Sequence, residues 1–169
     1  FRGVNRTLDN DDVSTFKSGF AVAKFTNFKT DGSAGHDATF PDADFFLMRA
    51  AEAYLNFAEA DARINGGQTT EEGTAAINAI RKRAHASTRE DKGYSLSDIC
   101  DEWSREFYFE GRRRMDLIRF NRYGGNVNYN WQWKGGTKEG RNFSENLNIF
   151  AIPTNELTSN KNLTQNPGY

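Results

Sequence analysis

Ala50-Ala51-Glu52-Ala53-Tyr54-Leu55-Asn56-Phe57-Ala58-Glu59-Ala60-Asp61-Ala62-Arg63-Ile64-Asn65, closed by Gly66-Gly67, reads as a helix and its stop. Leu47, Ala51, Tyr54, Ala58 and Ala62 recur at spacings of three and four, one stripe on a helix, and predict helical structure over 44–65. Arg49, Glu52, Asn56 and Arg63 fall mostly off that stripe. The alanines leave room for a close helical neighbour. Thr69-x-x-Glu72 has the form of a capping box, and the helix it opens, 71–85, carries Ala76, Ile77, Ile80 and Ala84.

Two helices rich in small residues across a short glycine turn predict a helical hairpin of the tetratricopeptide type. One such pair is visible. Repeat units of this kind stack on neighbours, so further pairs are expected to precede Phe1 in a longer parent chain. A long third helix is expected over 95–121. Ser95-x-x-Asp98 caps it, Tyr94 and Ile99 can staple it, and Gly124-Gly125 ends it. The expected fold class is therefore mainly α: a tetratricopeptide-like hairpin plus a long third helix, with long irregular loops and an extended C-terminal segment. Residues 1–43 form an irregular lead-in, 44–123 the helical core, and 124–169 a loop and docked tail. Within the lead-in, Phe20 to Phe25 alternates weakly and reads as a short strand.

On the third helix, Ile99, Trp103, Glu106, Glu110, Arg113, Leu117 and Phe120 fall on one face. Its ends are apolar and its middle is ionisable. Glu110 and Arg113 stand at i, i+3 and can pair, and Arg112 can reach Asp116. Three readings compete. Glu106 and Glu110 could serve as acid and base of a glycoside-processing enzyme, although Arg113 would depress both pKa values. The face could simply be solvated. Or Glu106, Glu110, Arg113 and Asp116 form a partly buried structural ion network that sets helix register. Trp103 and Leu117 bracket the charges on the same face, which favours the network.

Beyond the third helix, Tyr129, Trp131 and Trp133 alternate, with Asn130 and Gln132 between them. An extended strand would place the three rings on one side, a candidate glycan-binding platform of flat faces with amide partners. The competing reading folds this loop over the third helix and buries the rings, with Lys134-Gly135-Gly136 as the turn. The final Asn166-Pro167-Gly168-Tyr169 is uncharged and ends on a turn and an aromatic. It is expected to dock on the body of the domain.

Composition narrows the classes. The chain has 169 residues, 22 basic against 23 acidic and a net charge of -1, which is no nucleic-acid footprint. Cys100 is the one cysteine, and with His36 and His85 alone there is no metal-ligand cluster; no metal and no cofactor are expected. No stretch has the length and apolarity of a transmembrane helix. The chain opens on Phe1 without a signal peptide, which predicts a processed product or a piece of a longer polypeptide.

Four motifs occur in one order. They are Arg49-Ala50-Ala51-Glu52-Ala53-Tyr54-Leu55-Asn56-Phe57-Ala58-Glu59-Ala60, Asn78-Ala79-Ile80-Arg81-Lys82-Arg83-Ala84, Glu110-Gly111-Arg112-Arg113-Arg114-Met115-Asp116-Leu117-Ile118-Arg119, and Gln165-Asn166-Pro167-Gly168-Tyr169. Together they resemble the C-terminal region of the SusD/RagB family of outer-membrane nutrient- and glycan-binding lipoproteins of Bacteroidetes. The resemblance implies a longer parent that binds oligo- or polysaccharide at the cell surface without catalysis. It implies delivery of the glycan to a SusC-like TonB-dependent transporter, and a membrane tether through an N-terminal lipid that is absent from this chain. A tetratricopeptide-type protein or peptide interaction module remains the alternative.

Overall fold

The first helix, α1 (Ala50–Ile64), starts later than its apolar pattern suggests. Its buried face is Leu55, Ala58, Glu59 and Ala62, while Tyr54 lies outside. The inner stripe is thus rotated from the expected one, because Leu55 offers a larger aliphatic side chain to the core than Ala51. The structure, a computed structural model, describes residues 9–15, 18–20, 22, 24–125 and 129–169. Among these residues it is mainly helical and has no strand, only the isolated bridges Phe28–Ala34 and Gln68–Ser95. Of the strand expected at 20–25, Ala21 and Ala23 lie outside the described residues, and Phe20, Val22, Lys24 and Phe25 are not in a strand.

The chain divides into two compact units, Phe1–Ala53 and Tyr54–Tyr169. In the first, the side chain of Asn27 organises a loop. Its amide donates to Asp37 O at 2.6 Å and its oxygen accepts from Asp42 N at 3.0 Å.

In the second unit, the α1 stop is a Schellman turn: Gly67 N donates to Ala62 O at 2.8 Å, with Gly66 before it left-handed (φ 69°). α2 (Glu71–Arg83) follows. The Thr69–Glu72 capping box does not form. The helix begins with Thr70 as N-cap, and Asp61 at the end of α1 accepts from Thr70 N at 2.7 Å instead. Thr69 is drawn into the core, where its Oγ1 accepts from Tyr94 N at 2.8 Å. The Ser95–Asp98 box does form and opens α3 (Leu96–Glu106).

The long third helix is broken in two. α3 ends at Glu106, and α4 spans Arg113–Arg119. Phe107, Tyr108 and Phe109 follow one another and span more than half a helical turn, so one straight helix could not turn all three inward. The chain leaves the helix at that point, with left-handed backbone at Phe109 (φ 60°) and Gly111 (φ 77°). Phe107 goes into the core against Trp103, ring centroids 5.2 Å apart, and Tyr108 and Phe109 stay outside. α3 and α4 pack on each other. After α4 come two single 3-10 turns, Lys134–Gly136 and Glu145–Asn148, and a short helix α5 (Thr154–Ser159). The core is Leu55, Ala58, Ala62, Ile77, Ile80, Tyr94, Ile99, Cys100, Trp103, Phe107 and Leu117.

Candidate functional site

The break in the third helix decides where its charges go. The single charged face assumed an unbroken helix, so it does not exist. Glu110 lies in the turn and Arg113 opens α4. Both are more than half buried. Arg113 Nη1 donates to Cys100 O at 2.8 Å, and Nη2 donates to the Tyr129 hydroxyl at 3.1 Å. Glu106 turns to α2, where Arg83 Nη2 donates to its Oε1 at 2.7 Å. Asp116, fully buried, takes Arg119 Nη1 at 3.2 Å and Arg112 Nε at 3.4 Å. Glu106, Arg113 and Asp116 thus make these contacts with different partners.

The central carboxylate is Glu59, on α1. Its Oε1 accepts from Arg63 Nε at 3.0 Å and Arg119 Nε at 2.8 Å. Its Oε2 accepts from Arg119 Nη2 at 2.8 Å and from the Trp103 indole N–H at 2.9 Å. One side chain thus joins α1, α3 and α4. Burial pushes the Glu59 pKa up, but the hydrogen bonds from Arg119 and Arg63 outweigh it and hold the carboxyl below its ordinary value. Arg119 and Arg112 also lie over the Trp103 ring, at 5.3 and 4.0 Å from its centroid. Sequence reading passed over Glu59. Its signal was its place beside Ala58 and Ala62 at the edge of the inner stripe, four residues before Arg63.

The same pairing recurs nearby. Glu102 accepts from Arg81 Nη1 at 2.7 Å and Arg105 Nη2 at 2.6 Å. Asp98 takes both Arg89 nitrogens, at 2.9 and 2.8 Å, and this pair with the Ser95 hydrogen bonds holds its pKa well below the usual carboxylate range. Glu59 and Asp98, clamped this way, stay ionised and are poor proton donors. Among the described residues no group of three His, Cys, Asp or Glu could hold a metal ion. Cys100 is buried, and burial raises its pKa.

The aromatic loop is not a strand. Trp133 has left-handed backbone (φ 66°), and the chain turns through Lys134–Gly136. Tyr129, Trp131 and Trp133 therefore do not line one side. The Tyr129 hydroxyl accepts from Arg113 and donates to Asp101 Oδ1 at 3.4 Å, and Arg122 covers its ring at 4.6 Å. Trp131 keeps 36% of its surface exposed, and its ring stands 6.2 Å from that of Tyr129 at 58°. Under Trp131 lies Lys134, only 1% exposed. Its ammonium donates to Tyr129 O at 2.7 Å and sits 4.8 Å from the Trp131 ring centroid. Burial lowers its pKa. Nothing in the sequence marked this lysine apart from its place in the expected turn.

The tail docks on the segment 146–152. Gln165 brackets Ile152, accepting from its N–H and donating to its carbonyl, both at 2.9 Å. Asn166 Nδ2 donates to Phe150 O at 2.8 Å, and the Tyr169 hydroxyl reaches Ile149 O at 2.7 Å. Arg114 Nη2 ties that same segment to α4 through Leu147 O at 2.9 Å.

Comparison with known proteins gives a consistent answer. The sequence model of the SusD family matches residues 4–169. The starch-binding protein SusD of Bacteroides thetaiotaomicron is 41% identical over 167 residues, 99% of this chain and 29% of that protein. The chain thus spans less than a third of the length of that relative. Among solved structures, the surface glycan-binding protein A from Bacteroides uniformis is 28% identical, with a TM-score of 0.57 over 72% of this chain and 27% of the other. A laminarin-binding SusD-like protein is 25% identical, with a TM-score of 0.55 over 85% of this chain and 26% of the other.

Proposed function

The chain belongs to the SusD family, and on that footing we propose that it is part of a protein that binds oligo- or polysaccharide at the cell surface and does no chemistry on it. The observation that carries this reading is the 41% identity to a starch-binding protein, spread over 99% of the chain. The paired carboxylates support it, since a glycoside hydrolase needs one carboxyl that stays protonated. In this reading the whole protein sits at the outer membrane through an N-terminal lipid and passes its glycan to a SusC-like TonB-dependent transporter. No helix among the described residues is long and apolar enough to cross a membrane.

Of the candidate platform residues, Trp131 offers the exposed ring, so it is the proposed stacking contact, with Tyr129 and Trp133 shaping the loop beneath it. Affinity electrophoresis of the full-length protein through gels of different polysaccharides tests the function. Retardation by at least one glycan, with no reducing sugar released from any, is the expected result. Retardation by none, together with capture of a peptide ligand, would move the assignment to a protein-interaction module. Trp131→Ala is expected to weaken the retardation, and an unchanged mobility would remove this ring from the site.

A further inference from the structure

Two rings of the aromatic loop each face a cation. The Lys134 ammonium lies 4.8 Å from the Trp131 ring centroid, and the Arg122 guanidinium lies 4.6 Å from that of Tyr129. Lys134 is almost wholly buried while Trp131 keeps an exposed side, so the ammonium holds the inner face of the indole and leaves the outer face to solvent. The backbone fixes it there. Lys134 N donates to Trp131 O at 3.0 Å, and the ammonium donates to Tyr129 O at 2.7 Å. Among the described residues no carboxylate pairs with this ammonium, and burial alone shifts its pKa. Around it the loop adds Lys138 and Arg141 against one acidic side chain, Glu139, while Asp101 approaches through the Tyr129 hydroxyl.

A bare indole face attracts a cation, because its π cloud is negative. At Trp131 one cation already draws on that attraction from within. Its field also reaches the outer face, since a ring one atom thick shields little. A group stacked on the outer face at a similar distance stands roughly 10 Å from the ammonium. A unit positive charge there is disfavoured, and a unit negative charge favoured, by roughly tenfold at low salt and roughly threefold at physiological salt. A sugar that stacks through its C–H groups and carries no charge feels neither effect. The outer face of Trp131 therefore has the reverse charge preference of an ordinary tryptophan platform.

We propose that Lys134 is a specificity-determining residue of the glycan site: from beneath the ring it sets the charge that a sugar stacked on Trp131 can carry, admitting neutral and uronic-acid residues and rejecting free amino sugars. The inference rests on the reading of Trp131 as the stacking contact. Lys134 touches no sugar and acts through the ring.

The test reads the ring itself. The full-length protein is labelled with 5-fluorotryptophan, and the Trp131 resonance is identified by its loss in Trp131→Phe. Three nitroxides of similar size serve as probes: carbamoyl-PROXYL (neutral), carboxy-PROXYL (anionic) and aminomethyl-PROXYL (cationic). At physiological salt the anionic probe should enhance fluorine relaxation at Trp131 at least roughly threefold more than the cationic one. In Lys134→Met the two should become nearly equal. Dividing each by the neutral probe removes any change in exposure of the ring, so a loosened loop does not alter the comparison. Equal action of the charged probes on the wild-type protein overturns the proposal, as does a preference that survives in Lys134→Met. The probes are not sugars, so this result is independent of whether any glycan binds. A second arm uses a polysaccharide that retards the wild-type protein. Beads bearing its aminoethyl derivative should retain less protein than beads bearing its carboxymethyl derivative, and Lys134→Met should narrow the gap. The opposite order overturns the proposal, whereas retardation by no polysaccharide overturns the proposed function and leaves the charge preference of the ring standing.

Discussion

Glu59→Ala is the most severe test of the scaffold. The substitution withdraws the acceptor from five N–H bonds, two from Arg63, two from Arg119 and one from Trp103. These losses differ in weight. Trp103 is 0% exposed, so no water replaces Glu59 at its indole N–H, and an orphaned buried donor costs about 1–3 kcal/mol. The Arg63 and Arg119 side chains are 41% and 37% exposed, so solvent recovers much of what they lose, leaving about 1 kcal/mol each. The sum, about 3–5 kcal/mol, agrees with the usual cost of removing one partner of a buried pair. Arg105→Ala is the comparator. Its side chain is 56% exposed and Glu102 keeps Arg81, so it should cost less than about 1 kcal/mol. Urea unfolding of the full-length variants, followed through tryptophan fluorescence, measures both. Acid adds a second reading. A carboxyl whose folded pKa is depressed contributes stability above its unfolded pKa and loses it as pH falls through the folded value. The acid limb of the wild-type stability curve should therefore be steeper than that of Glu59→Gln. If Glu59→Ala is no more costly than Arg105→Ala, Glu59 is not the centre of the network.

Three further outcomes follow from the geometry. Arg89→Ala should lower stability at neutral pH and flatten the acid limb relative to wild type, because Arg89 is the chief cause of the low Asp98 pKa and the stability lost as pH falls through that pKa is then largely missing already; thermal unfolding across an acid series checks this. Gly168→Ala should cost about 1–3 kcal/mol, since φ is 92° there and an added Cβ would meet Asn146 Cβ at 2.7 Å; Gly136→Ala, equally left-handed but with open space around it, should cost less, as calorimetry would show. Lys134→Met should keep the buried stem and lose the ammonium bond to Tyr129 O, costing about 1–3 kcal/mol and exposing residues 129–141 to protease sooner than in wild type.

The helices 50–64 and 71–83 and the Ser95–Asp98 cap were legible because each depends on local periodicity or on side chains within one turn. The break after Glu106 was not. Every residue from Phe107 to Phe109 tolerates a helix by propensity, and the break shows only in the backbone, left-handed at Phe109 and Gly111, with Phe107 buried and its two neighbours outside. The error then spread. With α3 and α4 read as one helix, Glu110 and Arg113 became neighbours on paper, and the true partners of Arg113, Cys100 O and Tyr129, lay out of reach of any periodicity argument. Glu59 was hidden for the same reason, since Trp103 and Arg119 lie 44 and 60 residues away in sequence. The aromatic alternation at 129–133 failed differently. Period two was present, but Lys134 needed the carbonyl of Tyr129, and reaching it takes a tight turn through Trp133 instead of an extended strand.

Near neutrality of charge acquires a structural meaning here. The 22 basic and 23 acidic residues could have been a solvated coat, but several arginines are spent on carboxylates that lie inside or at the edge of the core. Pairs of this kind add little net stability over apolar packing, yet each admits only one arrangement of the helices that supply it. Glu59 fixes α1 against α3 and α4, Glu102 fixes α2 against α3, and Arg114 fixes α4 against the segment on which the tail docks. The result is a set of helices in fixed register with loops held at defined places on its surface, Trp131 among them. Binding of a large, flexible glycan gains affinity from a surface that is already in place, because the ordering cost is then borne by the sugar alone. Under the proposed function, Glu59→Ala should weaken glycan retention even though Glu59 lies nowhere near Trp131 in sequence. It should do so in proportion to the stability lost and without changing which glycan is preferred. A change of preference would mean that Glu59 acts on the binding surface itself and not through the register of the helices.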